Sequence, residues 1–419
     1  MSGAGGGARV PCESELVYDW NAQQEQHRPA RVQFDDETLR DGIQSPSARD
    51  PHIDEKLGIL HLMADLGIDA ADLGLPGASP RQRADVKRLA EEIRDQKLAI
   101  FPNCAARTMI ADIEPICDVA DEVGIAIEAS CFIGSSPIRQ YAEDWDLDTM
   151  LAHSDKAVRF AVERGLPVMY VTEDTTRAAP ETIRRLYTTA IEAGARRICV
   201  CDTVGYVTPP GVHALISFIK QVVDDTGEEV LIDWHGHEDR GLGVWNSLAA
   251  LQAGVTRVHG TALGIGERTG NTPMDLLLVN CRLLGWIDND LSKLSAYCEA
   301  ASEAIGVPIP ANYPVIGEDA FRTATGVHAA AVVKARRKGD DWLADRIYSG
   351  VPAAMVGRRQ KIEVGPMSGA SNVEHWLREH GIEPEPDKVA AVLQAAKGAD
   401  HVLDDEEIGS VLELEGQGP

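Results

Sequence analysis

The sequence predicts an α/β fold, in which a closed (β/α)8 TIM barrel is followed by a smaller, mainly helical C-terminal subdomain. Three observations support this prediction. Between residues 30 and 289, short apolar or β-branched runs alternate with longer stretches of helical spacing, with a period of about 30 residues. Eight strand candidates occur in this span, which suits a closed barrel better than an open sheet. Beyond residue 290 the strand pattern stops and helical spacing continues.

Each strand candidate is short and leads into a polar turn. In chain order the candidates read RVQFDDETL, AADLGLP, KLAIFPNCA, IAIEASCFI, LPVMYVTED, RRICVCDTVG, EVLIDWHGH and TRVHGTALG. Stretches between them, such as DTMLAHSDKAVRFAVERG, place apolar residues on one helical face and close on glycine. Strands that alternate with helices form parallel sheets. No GxGxxG segment follows the first candidate, which disfavours a dinucleotide-binding fold.

The same patterns divide the chain into four segments. Residues 1–29 are predicted to be a flexible N-terminal leader, and residues 30–289 to be the barrel. Residues 290–400 form the mainly helical subdomain, which includes DLSKLSAYCEAASEAIGVPIP and GVHAAAVVKARRKGDDWLADRIY. Residues 401–419 are predicted to be an acidic tail.

Composition excludes several classes of partner. The chain has 40 Lys and Arg residues against 66 Asp and Glu, a formal charge of −26, which disfavours binding to nucleic acid or to an anionic membrane. No apolar run approaches the ~20 residues of a membrane span, and the N-terminal MSGAGGGARVP lacks the apolar core of a signal peptide. The eight cysteines form no CxxC pair, which is typical of reduced thiols. We therefore expect a cytoplasmic protein.

Polar and ionisable residues collect where the predicted strands end, which is where barrel enzymes place their chemistry. Strand one ends in Arg40, Asp41 and Gln44, strand five in Glu173 and Asp174, and strand six in Asp202 and Thr203. Strand seven ends in His235 and His237, and strand eight in Glu267, Arg268 and Asn271.

Four of these residues predict a metal site. His235 and His237 stand two positions apart on an extended segment, so both rings point to the same side. Together with the Asp41 carboxylate and the Asn271 amide oxygen, they suit a divalent cation that keeps positions open for substrate. Mg, Mn and Zn all fit this ligand set. The alternative is that Asp41 pairs with an arginine and the histidines only cap a strand.

Five segments, in fixed order, resemble one family. They are DETLRDGIQ at 36–44, EDTTR at 173–177, DTVGYVTP at 202–209, HGHEDRG at 235–241 and GIGERTGN at 264–271. The chain resembles the 2-isopropylmalate synthase and homocitrate synthase family of metal-dependent, HMG-CoA lyase-like barrels. The likeness continues through TGVHAAAVVK, DRIYSGVPAAMVG and VGPMSGASNV, and so covers residues 30–380.

The resemblance implies an acyltransferase that condenses acetyl-CoA with a 2-oxo acid in a metal-dependent Claisen reaction, giving a 2-substituted malate and CoA. The metal would hold and polarise the 2-oxo acid. Arg40 would stabilise the alkoxide that develops, and Thr203 would bind the substrate carboxylate. A homodimer is also implied.

The resemblance also suggests how protons and ligands are managed. The candidate base is His328, paired with Tyr348, or else Glu267. Glu173 is a candidate for orienting a ligand histidine or Arg40.

Three departures from the family pattern bear on the substrate. Asp72 stands where the family generally has Glu, and we expect it to bond Arg40 less surely. Arg139 stands where 2-isopropylmalate synthases commonly have His, and it could contact CoA phosphate, a substrate carboxylate or solvent. Met169 and Val171 share a strand face with Glu173. Homocitrate synthases resemble the pattern Arg-x-Ser-x-Glu at these three positions, and their arginine helps to bind a dicarboxylate substrate.

The third departure favours an apolar 2-oxo acid, because burying the distal carboxylate of 2-oxoglutarate without a cation costs several kcal/mol. The alternative is that Met169 is ordinary barrel packing. We further expect the leucine-sensing domain common in 2-isopropylmalate synthases to be absent, and the protein to serve a specialised pathway.

Other functions fit the barrel less well. Homocitrate synthase-like use of 2-oxoglutarate and a C–C lyase on the same barrel are the nearest alternatives. A carboxyltransferase subunit and a non-catalytic metal-binding relative are further options. Intact Arg40, Asp41, His235, His237 and Glu267 argue against the last of these.

Overall fold

The computed structural model describes residues 16–20 and 28–415. Most of the predicted leader, residues 1–15 and 21–27, lies outside the described residues. Within the described part, one compact unit ends at Ile309 and a second begins at Pro310.

The first unit contains a closed barrel of eight parallel strands, as predicted. The strands are β1 Gln33–Asp36, β2 Ala70–Asp72, β3 Phe101–Arg107, β4 Glu128–Gly134, β5 Val168–Glu173, β6 Arg197–Asp202, β7 Leu231–Gly236 and β8 Arg257–Gly260. Each strand pairs with the next, and β8 pairs with β1 in the register Phe34 opposite Val258. Every strand overlaps its predicted segment, because each predicted run is an apolar stretch flanked by turn residues.

Helices connect and cover these strands. They are α1 Ile53–Asp65, α2 Pro80–Gln96, α3 Ile110–Val123, α4 Pro137–Glu143, α5 Leu147–Glu163, α6 Pro180–Glu192, α7 Pro209–Thr226, α8 Gly243–Ala253, α9 Met274–Leu283 and α10 Leu294–Ile305. The sequence assigned α10 to the C-terminal subdomain, whereas the structure groups it with the barrel. The hydroxyl of Tyr297 on α10 donates a hydrogen bond to the buried carboxylate of Asp36 on β1, which ties this helix to the barrel wall.

The second unit is mainly helical. Its elements are β9 Arg322–Thr323, α11 Gly326–Arg337, α12 Asp341–Arg346, β10 Lys361–Ile362, α13 Ala370–Glu379, α14 Pro386–Gly398 and α15 Asp405–Glu415. The strands β9 and β10 pair in parallel.

The prediction of an acidic tail from residue 401 is wrong for the described residues 401–415. Helix α15 occupies most of this stretch, and its Ile408 is fully buried. Leu403 and Ile408 pack with Trp376 and Leu377 of α13 and with Val392 of α14. The apolar residues between the acidic ones therefore make this segment a packed helix, because their burial stabilises it against the core of the unit.

Charged residues fill part of the barrel interior. Asp35, Glu128, Asp233 and Arg257 are buried, and the Arg197 side chain is 12% exposed. Glu128, Arg197 and Arg257 start β4, β6 and β8. Because the strands are parallel, these starting residues lie at the end of the barrel opposite the predicted site.

Among the described helices, none has the length and apolar character required to cross a membrane.

Candidate metal and substrate site

A cavity of about 240 Å³ lies inside the barrel unit. Nine predicted site residues line it: Arg40, Asp41, Gln44, Met169, Glu173, Thr203, His235, His237 and Glu267. They come from five different strands or the loops that follow them, which is the arrangement expected for a barrel active site.

Three of the predicted metal ligands converge in this cavity. One ligand atom from each of Asp41, His235 and His237 lies within 4.8 Å of the others. The two Nε2 atoms of the histidines face one another at 3.1 Å, and Nε2 of His235 is 3.5 Å from Oδ2 of Asp41. The strand period of two places both rings on the same side, as the HxH spacing predicted.

Asn271, the fourth predicted ligand, contacts Asp41. Its amide nitrogen donates to Oδ2 of Asp41 at 2.8 Å. Among the described residues, Oδ1 of Asn271 and Nδ1 of His237 are buried side-chain atoms without a hydrogen-bond partner. A Cβ on Gly266 would lie 1.8 Å from that amide oxygen, so glycine is required for Asn271 to occupy this position. Two imidazoles, one carboxylate and an unpartnered amide oxygen fit a divalent cation.

The electrostatics of the histidines agree with a cation site. Burial and the neighbouring His235 lower the pKa of His237 to about 4, which leaves its ring neutral, as a metal ligand must be. Burial also opposes charge on His235, but the adjacent Glu37 outweighs it and raises the pKa of His235 to about 9. The carboxylates beside His235 thus favour positive charge in this part of the cavity, and a bound cation would supply that charge in place of the ring proton.

Arg40 lies beside these ligands and contacts three carboxylates. Its Nη2 donates to Oε1 of Glu37 at 2.9 Å, and its Nε donates to Oδ2 of Asp72 at 2.8 Å. Its Nη1 is 3.4 Å from Oδ2 of Asp41. Asp72 therefore bonds Arg40 despite being shorter than glutamate.

Sequence reasoning did not single out Glu37 or His259. Oε2 of Glu37 lies 2.8 Å from Nδ1 of His235, so Glu37 contacts both a candidate ligand and Arg40. His259 lies on the other side of Glu37, with its Nδ1 3.0 Å from Oε1. The available signal was position, since Glu37 directly follows β1 and His259 lies within β8.

Thr203, Glu173 and Arg139 occupy neighbouring positions. The Thr203 hydroxyl accepts a bond from the backbone NH of Asp174 at 2.8 Å, and its own proton remains free to be donated. Burial raises the pKa of Glu173 above its usual value, although Arg139 opposes this. Arg139 lies 3.9 Å from Glu173 and 3.2 Å from Glu143, and it contacts the cavity wall through Glu173.

Part of the cavity lining is apolar. Its apolar residues are Leu75, Ala105, Phe132, Met169, Val171, Cys199 and Cys201, and Ser130 lies between Ala105 and Met169 in the sheet. Beneath this part of the lining, Nη2 of Arg257 lies 3.3 Å from the Met169 sulfur and 2.6 Å from Oε1 of Glu128. Its Nε is 2.6 Å from Oδ2 of Asp233. This arginine is therefore covered by Met169 and already paired with carboxylates.

The remaining predicted residues lie at the rim or in the other unit. Glu267 is exposed, and its carboxylate is 4.0 Å from Arg268. In the second unit, the rings of His328 and Tyr348 stack with centroids 3.9 Å apart, so the structure brings this predicted pair together.

Comparisons with known proteins agree with the predicted resemblance. The chain matches the HMGL-like family over residues 31–302. The chain belongs to this family. A homocitrate synthase of Methanopyrus kandleri is 33% identical over 91% of this chain and 90% of its own length. A 2-isopropylmalate synthase of Sulfurisphaera tokodaii is 33% identical over 88% and 90%. A putative (R)-citramalate synthase of Methanosphaerula palustris is 31% identical over 88% and 69%.

Solved structures of similar fold include HMG-CoA lyases. The Bacillus subtilis enzyme has a TM-score of 0.56 at 19% identity, covering 68% of this chain and 96% of its own. The Pseudomonas aeruginosa enzyme has a TM-score of 0.56 at 18% identity, covering 66% and 94%. These likenesses confirm the HMGL-like barrel fold, and the sequence relatives confirm the synthase resemblance.

Proposed function

We propose that this HMGL-like protein is an acyltransferase that condenses acetyl-CoA with a 2-oxo acid, forming a 2-substituted malate and CoA. One observation carries the proposal. Asp41, His235 and His237 converge within 4.8 Å in a cavity where Arg40 contacts Asp41. The synthases that the chain resembles at 31–33% identity are named for this class of product.

The polar side of the cavity supports the expected chemistry. A divalent cation bound by Asp41, His235, His237 and Asn271 would polarise the ketone of the 2-oxo acid. Arg40 is held by Glu37 and Asp72 with its guanidinium beside Asp41, where it can stabilise negative charge that develops on the ketone oxygen. The free proton of Thr203 can bind the substrate carboxylate.

The carbanion step requires a base for the acetyl methyl group. We propose His328, stacked on Tyr348, for this role, with Glu267 as the second candidate. An imidazole is the side chain best matched to proton transfer near neutral pH.

The apolar wall supports a branched or aromatic 2-oxo acid over 2-oxoglutarate. Met169 and Val171 line the cavity beside Phe132. The two arginines on the lining, Arg40 and Arg268, are both paired with carboxylates. A second substrate carboxylate would have to break such a pair or remain unpaired, and either costs several kcal/mol.

Use of 2-oxoglutarate is the alternative, because the relative from Methanopyrus kandleri is named a homocitrate synthase. The citramalate and 2-isopropylmalate synthases match about equally well, so identity does not choose between these substrates.

Thiol release from acetyl-CoA tests the proposal. The purified protein is supplied with Mg²⁺, Mn²⁺ or Zn²⁺ and a panel of 2-oxoisovalerate, phenylpyruvate, 2-oxoglutarate, oxaloacetate and phosphonopyruvate. We expect release with an apolar oxo acid, and its loss in His235→Ala. Release chiefly with 2-oxoglutarate would contradict the substrate argument. Silence across the panel from folded protein would contradict the condensation, and cleavage of a 3-hydroxyacyl-CoA or a 4-hydroxy-2-oxo acid would then identify a lyase.

A further inference from the structure

Four buried side chains form a continuous line of contacts that ends at a candidate metal ligand. Nε2 of His259 is 3.0 Å from Oδ2 of Asp233, and Nδ1 of the same ring is 3.0 Å from Oε1 of Glu37. Oε2 of Glu37 is 2.8 Å from Nδ1 of His235. All four residues are at most 8% exposed.

The chemistry of these contacts fixes the His259 ring. Carboxylates at neutral pH only accept hydrogen bonds, so each ring nitrogen of His259 has to carry a proton to bond its partner. A ring bonded at both nitrogens cannot turn without breaking a buried, charge-assisted contact. The imidazolium therefore bridges Asp233 and Glu37 and sets the distance between them.

The far end of the line is anchored in the barrel interior. Asp233 is 2.5 Å from Nη1 of Arg197 and 2.6 Å from Nε of Arg257. Arg257 reaches Glu128 on β4 at 2.6 Å. Asp233 is thus held by cations from two strands, and this rigidity is passed through His259 to Glu37.

The near end controls the candidate ligand. Nδ1 of His235 lies 2.8 Å from Oε2 of Glu37, and Nε2 of the same ring lies 3.1 Å from Nε2 of His237 and 3.5 Å from Oδ2 of Asp41. A carboxylate behind a histidine fixes both the tautomer and the ring orientation needed to bind a metal. Glu37 also accepts from Nη2 of Arg40, so a shift of this carboxylate would move both groups.

We propose that His259 is a positioning residue, which holds Glu37 in the place from which it orients His235 for metal binding and Arg40 for the substrate. Both of its ring nitrogens already contact carboxylates, which distinguishes it from the metal ligands themselves. The inference rests on the proposed function, because it assumes that Asp41, His235 and His237 bind a cation.

Metal affinity in the absence of substrate tests the proposal. Mn²⁺ binding to the metal-free full-length protein is measured by calorimetry for wild type, Glu37→Gln, His259→Gln, His259→Leu and the double variant Glu37→Gln/His259→Gln. Glutamine at 259 keeps one donor and leucine keeps none. We expect Kd for Mn²⁺ to rise by about 10–100-fold in His259→Leu and by less in His259→Gln. If His259 acts through Glu37, the double variant should bind no more weakly than Glu37→Gln alone.

A control separates positioning from loss of stability. Lys56 is also buried in α1, with Nζ 2.6 Å from Asp50 and 2.8 Å from Asp85, and it lies outside the cavity lining. Lys56→Met should lower Tm without changing Kd for Mn²⁺. Should His259→Leu fail to fold, Glu37→Gln and His259→Gln still decide the matter.

The possible outcomes separate a failure of this inference from a failure of the proposed function on which it rests. Wild-type affinity in His259→Gln and His259→Leu, or losses that add in the double variant, would overturn the positioning role while leaving the metal site intact. Failure of wild type to bind Mn²⁺, Mg²⁺ or Zn²⁺ would overturn the proposed function and this inference together. Binding that is lost in His235→Ala and weakened in the His259 variants would support both.

Discussion

Asp36 should make the protein less stable as the pH rises from about 4 to about 7. Its side chain is fully buried at the end of β1, where it accepts hydrogen bonds from the Tyr297 hydroxyl and from the backbone NH of Thr38. Burial raises the pKa of Asp36 from 3.8 to about 7, and the two hydrogen bonds only partly oppose this rise.

The sign follows from the proton balance. Between pH 3.8 and about 7 the folded protein keeps a proton on Asp36 that the unfolded chain has lost. Stability from this group is therefore greatest below the unfolded pKa and falls by about 1.4 kcal/mol per pH unit until the folded pKa is reached. Above pH 7 the loss is complete, at about 4 kcal/mol.

Asp36→Asn isolates this contribution. Asparagine has nearly the same shape, still accepts a hydrogen bond and cannot ionise. The difference in free energy of unfolding, variant minus wild type, should grow in favour of the variant by about 3 kcal/mol between about pH 5 and pH 8. Urea titrations at the two pH values measure it. Asp288→Asn is the control, since the Asp288 side chain is fully solvent-exposed at 98%. An Asp36→Asn difference that is the same at both pH values would refute the reasoning.

Four further predictions concern the site. Arg40→Lys keeps the charge but cannot reach Glu37, Asp72 and Asp41 together. Steady-state kcat should therefore fall by about 10²–10³ while Kd for Mn²⁺ changes little, and a rise in Kd with kcat unchanged would contradict this. Asp41→Asn removes the anionic ligand, and calorimetry should show Mn²⁺ affinity lower by more than about 100-fold. Phe132→Ala enlarges the cavity at its apolar lining and should shift kcat/KM toward a bulkier 2-oxo acid by about ten-fold. An unchanged order of kcat/KM values over the panel of 2-oxo acids would place the substrate elsewhere. His328→Ala should slow exchange of the acetyl-CoA methyl hydrogens with D2O by about 10²–10⁴, followed by NMR, and normal exchange would assign the base to another residue.

The barrel could be predicted because its signal is local and repeated. Each strand is a short apolar run followed by a turn, and the run does not depend on distant residues for recognition. The boundary of the second unit could not be found in this way. Helix α10 has the same amphipathic spacing as the helices beyond it, and its place beside β1 depends on the long-range bond from Tyr297 to Asp36.

The candidate metal ligands could be predicted from the sequence, whereas the residues that contact them from behind could not. Asp41, His235 and His237 were found because their side chains are metal ligands at strand ends. Glu37 and His259 were missed because a glutamate and a histidine 222 positions apart carry no joint pattern in a sequence. Their relation exists only after the barrel closes and β1 pairs with β8.

The charged interior of the barrel is better explained by the site than by stability. Buried ion pairs are often neutral or worse than well-packed apolar residues of similar volume, because each charge has to be desolvated. Asp233, Arg257 and Glu128 therefore contribute little that apolar side chains could not supply to the fold. What they do supply is direction, since a hydrogen-bonded carboxylate has one orientation whereas a leucine side chain has several. In the same network Arg257 is paired with carboxylates and lies beneath Met169. One set of charges therefore positions the candidate metal ligands and also leaves no unpaired arginine at this part of the cavity lining.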